Sequence, residues 1–255
     1  MARHHLPTSR APFAVASRTD RGVSAVGNAL VVGSDLSGPA LLRSLNGLSP
    51  AVFFTRATVV EETFRVRRAI RRTYRYFEPS DPARPELWEA AARLFAGTVD
   101  VRSFGRGVPA DRPQWRTVES VTIHPEKSGL VVEVRAPFFV WGMVRKILGA
   151  LREIGAERLD LAQLSEALRG RRRLTLPMAE PEPLVLWDIE YPIVWQHVWN
   201  GPNRHQARWW ALAGAEARVR QRVLHAIERG TAFSEYVGAE RVSQLAPSAR
   251  ASAPR

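Results

Sequence analysis

The chain has 255 residues, 45% of them apolar, enough to fill the core of one large domain or of two half-size ones sharing an interior. It contains no cysteine, which excludes disulfides, iron–sulfur clusters, cysteine zinc sites and thiol catalysis together, and it has no apolar run long enough to span a bilayer. A net charge of +12, carried almost entirely by arginine, makes a polyanion the expected partner and nucleic acid the simplest one. Lys127 and Lys146 are the only lysines. A genome-wide bias accounts equally well for the Arg-to-Lys ratio, but not for the net charge. Met1 to Arg10 has no apolar signal core, so a cytoplasmic location is expected.

In chain order, Pro12–Ala16 and Val26–Val32 read as short strands. Between them lies Ser17-Arg18-Thr19-Asp20-Arg21-Gly22-Val23-Ser24-Ala25, in which two guanidiniums flank one carboxylate before a glycine. Gly22 suits a tight turn, and neighbouring cations keep Asp20 ionised, as a nucleophile or base requires. An Asx-turn with solvated arginines accounts for the same residues. Ser37–Gly47 reads as a helix with a Leu41, Leu42, Leu45 stripe. Ala51–Val60 and Phe64–Phe77 read as two strands with a turn at Glu61-Glu62. In the second, Arg65, Arg67, Arg71 and Arg75 share one parity and form a basic face. Phe64, Val66, Ile70, Tyr74 and Tyr76 share the other with Arg68 and Arg72. Tyr74 is equally a core aromatic or a functional one.

Pro79–Pro85 is the best boundary candidate. Pro85–Phe95 reads as a helix. Asp100–Gln114 reads as a loop whose Arg102, Arg106 and Arg112 could cover a phosphate backbone or simply be solvated. Trp115–Ile123 and Leu130–Ala136 read as a hairpin. Phe138–Ile154 is the strongest helical pattern, with Arg145 at the edge of its buried stripe, where a cation either reaches solvent or needs a partner. Asp160–Arg169 is a further helix capped by Asp160. Arg171–Arg173 is an exposed basic run, and Leu184–Tyr191 is a strand. From Trp195 the composition turns Trp- and Arg-rich, with a helix near Ala213–Arg229 and a Ser/Ala/Pro tail from Ala246 that is expected to be disordered.

An R-T-D-x-G-V turn, the strand Arg72-Thr73-Tyr74-Arg75-Tyr76 and the helix start Phe139-Val140-Trp141-Gly142-Met143-Val144-Arg145 occur in that order. With the adjoining Gly149 and Gly155, they resemble the tRNA pseudouridine synthase A family, in its archaeal or eukaryotic-like branch. The resemblance runs from about Phe13 to Tyr191. It implies an α+β pseudouridine synthase fold: two halves with joined, mainly antiparallel sheets, helices on one face and a basic RNA-binding cleft on the other. The expected organisation is an N-terminal half over 1–78, a C-terminal half over 79–192 and an extension over 193–255.

The implied activity is isomerisation of uridine to pseudouridine in tRNA, by base flipping, in the anticodon stem-loop at positions 38–40. No metal or redox cofactor is implied, and a homodimer is. The resemblance makes Asp20 the catalytic carboxylate, Tyr74 the residue stacking on the target base, and Arg145 the partner of Asp20. Arg18 would fill the space left by the flipped nucleotide. Arg21, Arg65, Arg67, Arg71 and Arg75 would bind substrate, with Arg171–Arg173 on phosphates. The alternative is a non-catalytic RNA-binding protein or RNA chaperone on the same scaffold. Family members carry a strand and a helix before the segment matching Phe13. Only twelve residues precede it here, so that first strand is expected to be missing from a truncated gene model.

Overall fold

The computed structural model describes residues 13–79, 82–126, 129–199 and 201–228. In chain order the elements begin with β1 (Phe13–Val15), β2 (Ser24–Ala25), β3 (Leu30–Val32), α1 (Gly38–Asn46), β4 (Arg56–Ala57), β5 (Arg71–Glu78), α2 (Pro85–Leu94), β6 (Gly97–Asp100) and β7 (Trp115–Val118). They continue with β8 (Ser120–Glu126), β9 (Gly129–Ala136), α3 (Met143–Gly155), α4 (Leu161–Leu168), β10 (Leu184–Glu190), β11 (His197–Val198) and α5 (Arg204–Glu228). Among the described residues, no helix is long and apolar enough to cross a membrane.

The main sheet has the order β2-β10-β5-β9-β8 and is antiparallel except for the β2–β10 pair. Strand β5 is its centre, with Tyr74 opposite Val134 on one side and Leu186 on the other. Alternation then assigns its faces. Arg72, Tyr74, Tyr76 and Glu78 point toward α3, where Arg152 bonds both the Tyr76 hydroxyl and Glu78. The α3 stripe Ile147, Leu148, Leu151 and Ile154 is buried, and α2 adds Trp88, Ala91 and Ala92 to the same core. Burial of each such large side chain contributes about 1.5–3 kcal/mol relative to leaving it in water. The fold is thus α+β with mainly antiparallel sheets, and one sheet joins strands from both expected halves.

Several elements differ from their expected extents. Only Arg71–Phe77 of the Phe64–Phe77 run is strand, and the strand continues to Glu78. Before it, the Phe64 and Arg68 amides close turns on the Glu61 and Arg65 carbonyls. Only Arg56–Ala57 of Ala51–Val60 pairs as strand. The Trp115–Ile123 run breaks at Glu119: β7 pairs with β6, while β8 makes the expected hairpin with β9. Helix α3 starts at Met143, not Phe138. Its N-cap, Gly142, has φ +76°, a left-handed conformation that ends any helix entering from Phe138. Helix α4 opens with the expected Asp160 cap, completed into a capping box by Gln163.

Compactness divides the chain differently from the expected boundaries. Among the described residues, one unit comprises those within 13–35 and 59–194; the other comprises those within 36–58 and 195–228. The C-terminal extension therefore packs with an N-terminal segment. Asn46, at the end of α1, bonds Phe54 through both its carbonyl oxygen and its amide nitrogen, and its Oδ1 also accepts from the buried Gln206 of α5. Phe53 meets Trp210 edge to face at 5.0 Å. Helix α5 begins at Arg204, nine residues before the expected start, and the tail from Ala246 lies outside the described residues.

Candidate active site

Strands β1 and β3 pair antiparallel, Phe13 opposite Val32, and carry the Ala16–Val23 segment between them to the edge of the main sheet. There Ser24–Ala25 joins β10. The turn is closed by the backbone: the Val23 amide donates to the Asp20 carbonyl at 3.1 Å. Gly22, third in that turn, has φ +93°, the value a type II turn demands there. The Asp20 side chain is thereby left free of the turn. It makes no Asx cap and projects into a cavity of about 640 Å³, large enough for a nucleotide. The cavity opens on the α3 side of β5. Its lining includes Arg18, Asp20, Arg67, Arg72, Tyr74 and Arg145.

Both carboxylate oxygens of Asp20 are held. Arg145 Nη1 donates to Oδ2 at 2.9 Å, and Trp141 Nε1 donates to Oδ1 at 2.8 Å. Arg145 is itself fixed, because its Nε donates to the Ala179 carbonyl at 2.6 Å and its backbone carbonyl accepts from the Ala179 amide. The side chains of Arg145 and Asp20 are 16% and 28% exposed, so the ion pair is largely shielded yet open to the cavity. Water and salt screen such a pair less than a fully exposed salt bridge.

Tyr74 lies on the cavity wall, buried, with its ring edge to face against Phe139 at 5.1 Å. Burial pushes its hydroxyl up from the usual phenol value; the Ser17 hydroxyl and Arg72 oppose this and the Asp20 charge adds to it. Tyr74 is therefore a neutral phenol at pH 7, offering a ring face and an O–H donor rather than a phenolate.

Arg72, on the same face, is buried and organises the lining. Its Nε donates to Ser17 Oγ at 3.0 Å, and Nη2 donates to the Arg67 and Ala16 carbonyls. Its Nη1 donates to the Pro137 carbonyl. One guanidinium thus ties the Asp20 tip, the turn before β5 and the approach to α3.

The structure brings Asp20, Tyr74 and Arg145 together, with Arg18 and Arg67 exposed on the lining. Arg21 is exposed on the turn, and Arg65 bonds the Glu62 and Phe64 carbonyls. Arg71 and Arg75 are not brought to the cavity. They occupy the opposite face of β5, where Arg71 pairs with Glu119 and Glu190. Arg75 pairs with Glu133 at 2.7 Å and stacks 4.1 Å over Trp187. Arg102, for which phosphate contact and solvation were both open, is instead an internal strut, paired with Asp100 and donating to the Gly170 carbonyl. Arg171–Arg173 are exposed. Trp141 and Arg72 received no role from sequence reasoning, although both lie inside the quoted motifs. Among the described residues, no cluster of carboxylates and histidines could hold a metal ion.

A turn carboxylate, a strand tyrosine and a helix arginine meet at one cavity of an α+β fold, as the resemblance to pseudouridine synthases implies. Residues 91–192 match the family model described as tRNA pseudouridine synthase. The chain is 32% identical over 222 residues to tRNA pseudouridine synthase A of Methanosphaerula palustris, covering 86% of this chain and 78% of that protein. It is 37% identical over 188 residues to tRNA pseudouridine synthase A of Thermococcus gammatolerans, covering 71% and 68%. The protein of the same name from Bordetella parapertussis is 34% identical over 198 residues, covering 69% and 73%. The chain belongs to the tRNA pseudouridine synthase A family.

Proposed function

We propose that this chain converts uridine to pseudouridine in tRNA, with Asp20 as the carboxylate that acts on the ribose. The observation that carries this reading is the double restraint on Asp20. A carboxylate gripped by Arg145 and Trp141, and facing a nucleotide-sized cavity, is aimed and reachable. The bond from C1′ to N1 breaks, the uracil turns, and C5 bonds to C1′. C5 then gives up its proton and N1 takes one up, so the formula is unchanged. Asp20 acts either as the nucleophile at C1′ or as the base that removes a sugar proton. Neither C1′ nor C5 can be reached in a stacked nucleotide, so the target is extruded into the cavity. Tyr74 offers its ring to the extruded base, and Arg18, exposed on the lining, takes the vacated space.

The target site is placed in the anticodon stem-loop at positions 38–40, and the working form is a homodimer; both rest on the family resemblance. Cytoplasmic tRNA is the substrate pool this reading requires. The test is Asp20→Asn assayed by tritium release from C5-labelled uridine in tRNA. The variant should release no tritium while still binding tRNA. Retained turnover refutes the role of Asp20. A wild-type chain that binds tRNA but releases no tritium identifies an RNA-binding protein instead.

A further inference from the structure

Arg106, Lys146 and Arg173 come from three separate segments and converge on the loop that follows β6. Lys146, next to Arg145 on α3, donates from Nζ to the Ser103 carbonyl at 3.3 Å. The hydroxyl of the same Ser103 accepts from the Leu174 amide at 2.9 Å, which pins Arg173 alongside. The Arg106 amide donates to the Trp141 carbonyl at 2.8 Å, and its guanidinium lies 4.2 Å over the Trp141 ring. Trp141 in turn bonds Asp20, so the cluster adjoins the candidate catalytic carboxylate.

Among the described residues, none of the three cations pairs with a carboxylate, whereas Arg102 on the same loop is neutralised by Asp100. The first turn of α3 carries no acidic residue either. Burial lowers the Lys146 pKa below its ordinary value, and the charges of Arg173 and Arg106 lower it further. Three like charges held together by backbone bonds to Ser103 and Trp141 repel one another, and no described carboxylate offsets them, which favours an anionic ligand there.

We propose that Arg106, Lys146 and Arg173 form a phosphodiester subsite that grips the RNA backbone next to the target uridine. This rests on the tRNA reading above. An RNA phosphate is favoured over a free anion because the subsite is joined to Asp20 through one side chain, Trp141. A nucleotide whose ribose reaches Asp20 carries its own phosphates one sugar link away. The subsite lies on the Trp141 side of Asp20, apart from Arg18 and Arg67 on the tip and the turn before β5.

The test measures the salt dependence of tRNA binding for Lys146→Gln, Arg173→Gln and the triple Gln variant, with Arg93→Gln on α2 as control. Each lost phosphate contact lowers the slope of log K against log salt by about 0.9. Between about 50 and 200 mM salt that is about 3.5-fold less loss of affinity per contact, and a slope lower by about 2.7 in the triple variant. Lys146→Arg should restore the wild-type slope, which separates lost charge from a damaged fold. A stem-loop RNA with one methylphosphonate beside the target uridine should bind the wild type more weakly and the triple variant no more weakly than unmodified RNA does. A wild-type slope in the triple variant overturns the subsite, as does a wild-type chain that binds no RNA. The slope loss in the triple variant, together with a wild-type chain that binds tRNA but releases no tritium, supports the subsite and refutes the isomerase reading.

Discussion

Trp141→Phe removes one atom group of consequence, the indole N–H that donates to Asp20 Oδ1 at 2.8 Å. The ring that stacks under Arg106 remains. A hydrogen bond to a charged acceptor is worth about 1.5–3 kcal/mol when buried. Trp141 is 57% exposed and the Asp20 side chain 28%, so water partly replaces the lost donor and the low end applies. About 1.5 kcal/mol corresponds to slightly more than a tenfold fall in rate. The loss should appear in kcat, because the bond aims the carboxylate. KM should stay within about twofold, because the stacking surface and the phosphate contacts are untouched. Single-turnover tritium release from C5-labelled tRNA separates the two parameters. Trp141→Ala should in addition raise KM, through loss of the Arg106 stack. A Trp141→Phe variant with wild-type kcat would refute the claim that this bond positions Asp20.

Arg145→Lys keeps the charge but cannot bond Ala179 O and Asp20 Oδ2 together, as the guanidinium does. Loosening a largely shielded pair should cost about 2–3 kcal/mol, or about 30- to 150-fold in kcat, and a loss under about threefold contradicts the bridging role. Arg71→Gln with Arg75→Gln should leave the salt slope of tRNA binding unchanged, since both side chains are committed to Glu119, Glu190 and Glu133. A slope lower by about one per arginine would place RNA on that face instead. Gly149→Ala would put a Cβ 2.1 Å from the Pro177 carbonyl oxygen, a backbone atom that cannot swing aside. About 2–3 kcal/mol of overpacking lowers the melting temperature by about 5–10 °C in a chain of this size; an unchanged melt refutes the close approach of α3 to that segment.

Much of the site is legible in the sequence, because its parts are short and locally patterned. Gly22 signals a tight turn after Asp20, and the helical stripe from Val144 to Ile154 puts Arg145 at its edge, where a cation either reaches solvent or needs a partner. The Asp160 cap was readable from its place before an apolar run. Trp141 was not readable: its partner lies 121 positions away, and an aromatic before a helix carries no sign of what its N–H will meet. Arg72 shared a face with Tyr74 in the alternation, but four acceptors from three segments convert a basic strand residue into a buried tie.

The sequence by itself determined the main helices and strands, the presence of a tight turn at Gly22, and the order of the three motifs that marks the family. These follow from interactions among residues a few positions apart, where period and turn chemistry decide. Only the tertiary structure decided which arginines face the cavity and which are already neutralised. Arg71 and Arg75 read as RNA contacts in one dimension, yet Glu119, Glu133 and Glu190 claim them across the sheet. Arg106 and Arg173 read as separate candidate phosphate contacts and Lys146 carried no role, yet Ser103 and Trp141 gather all three beside Asp20. Charge pairing is set by distance through space, and strand pairing and helix packing fix those distances between residues far apart in the chain.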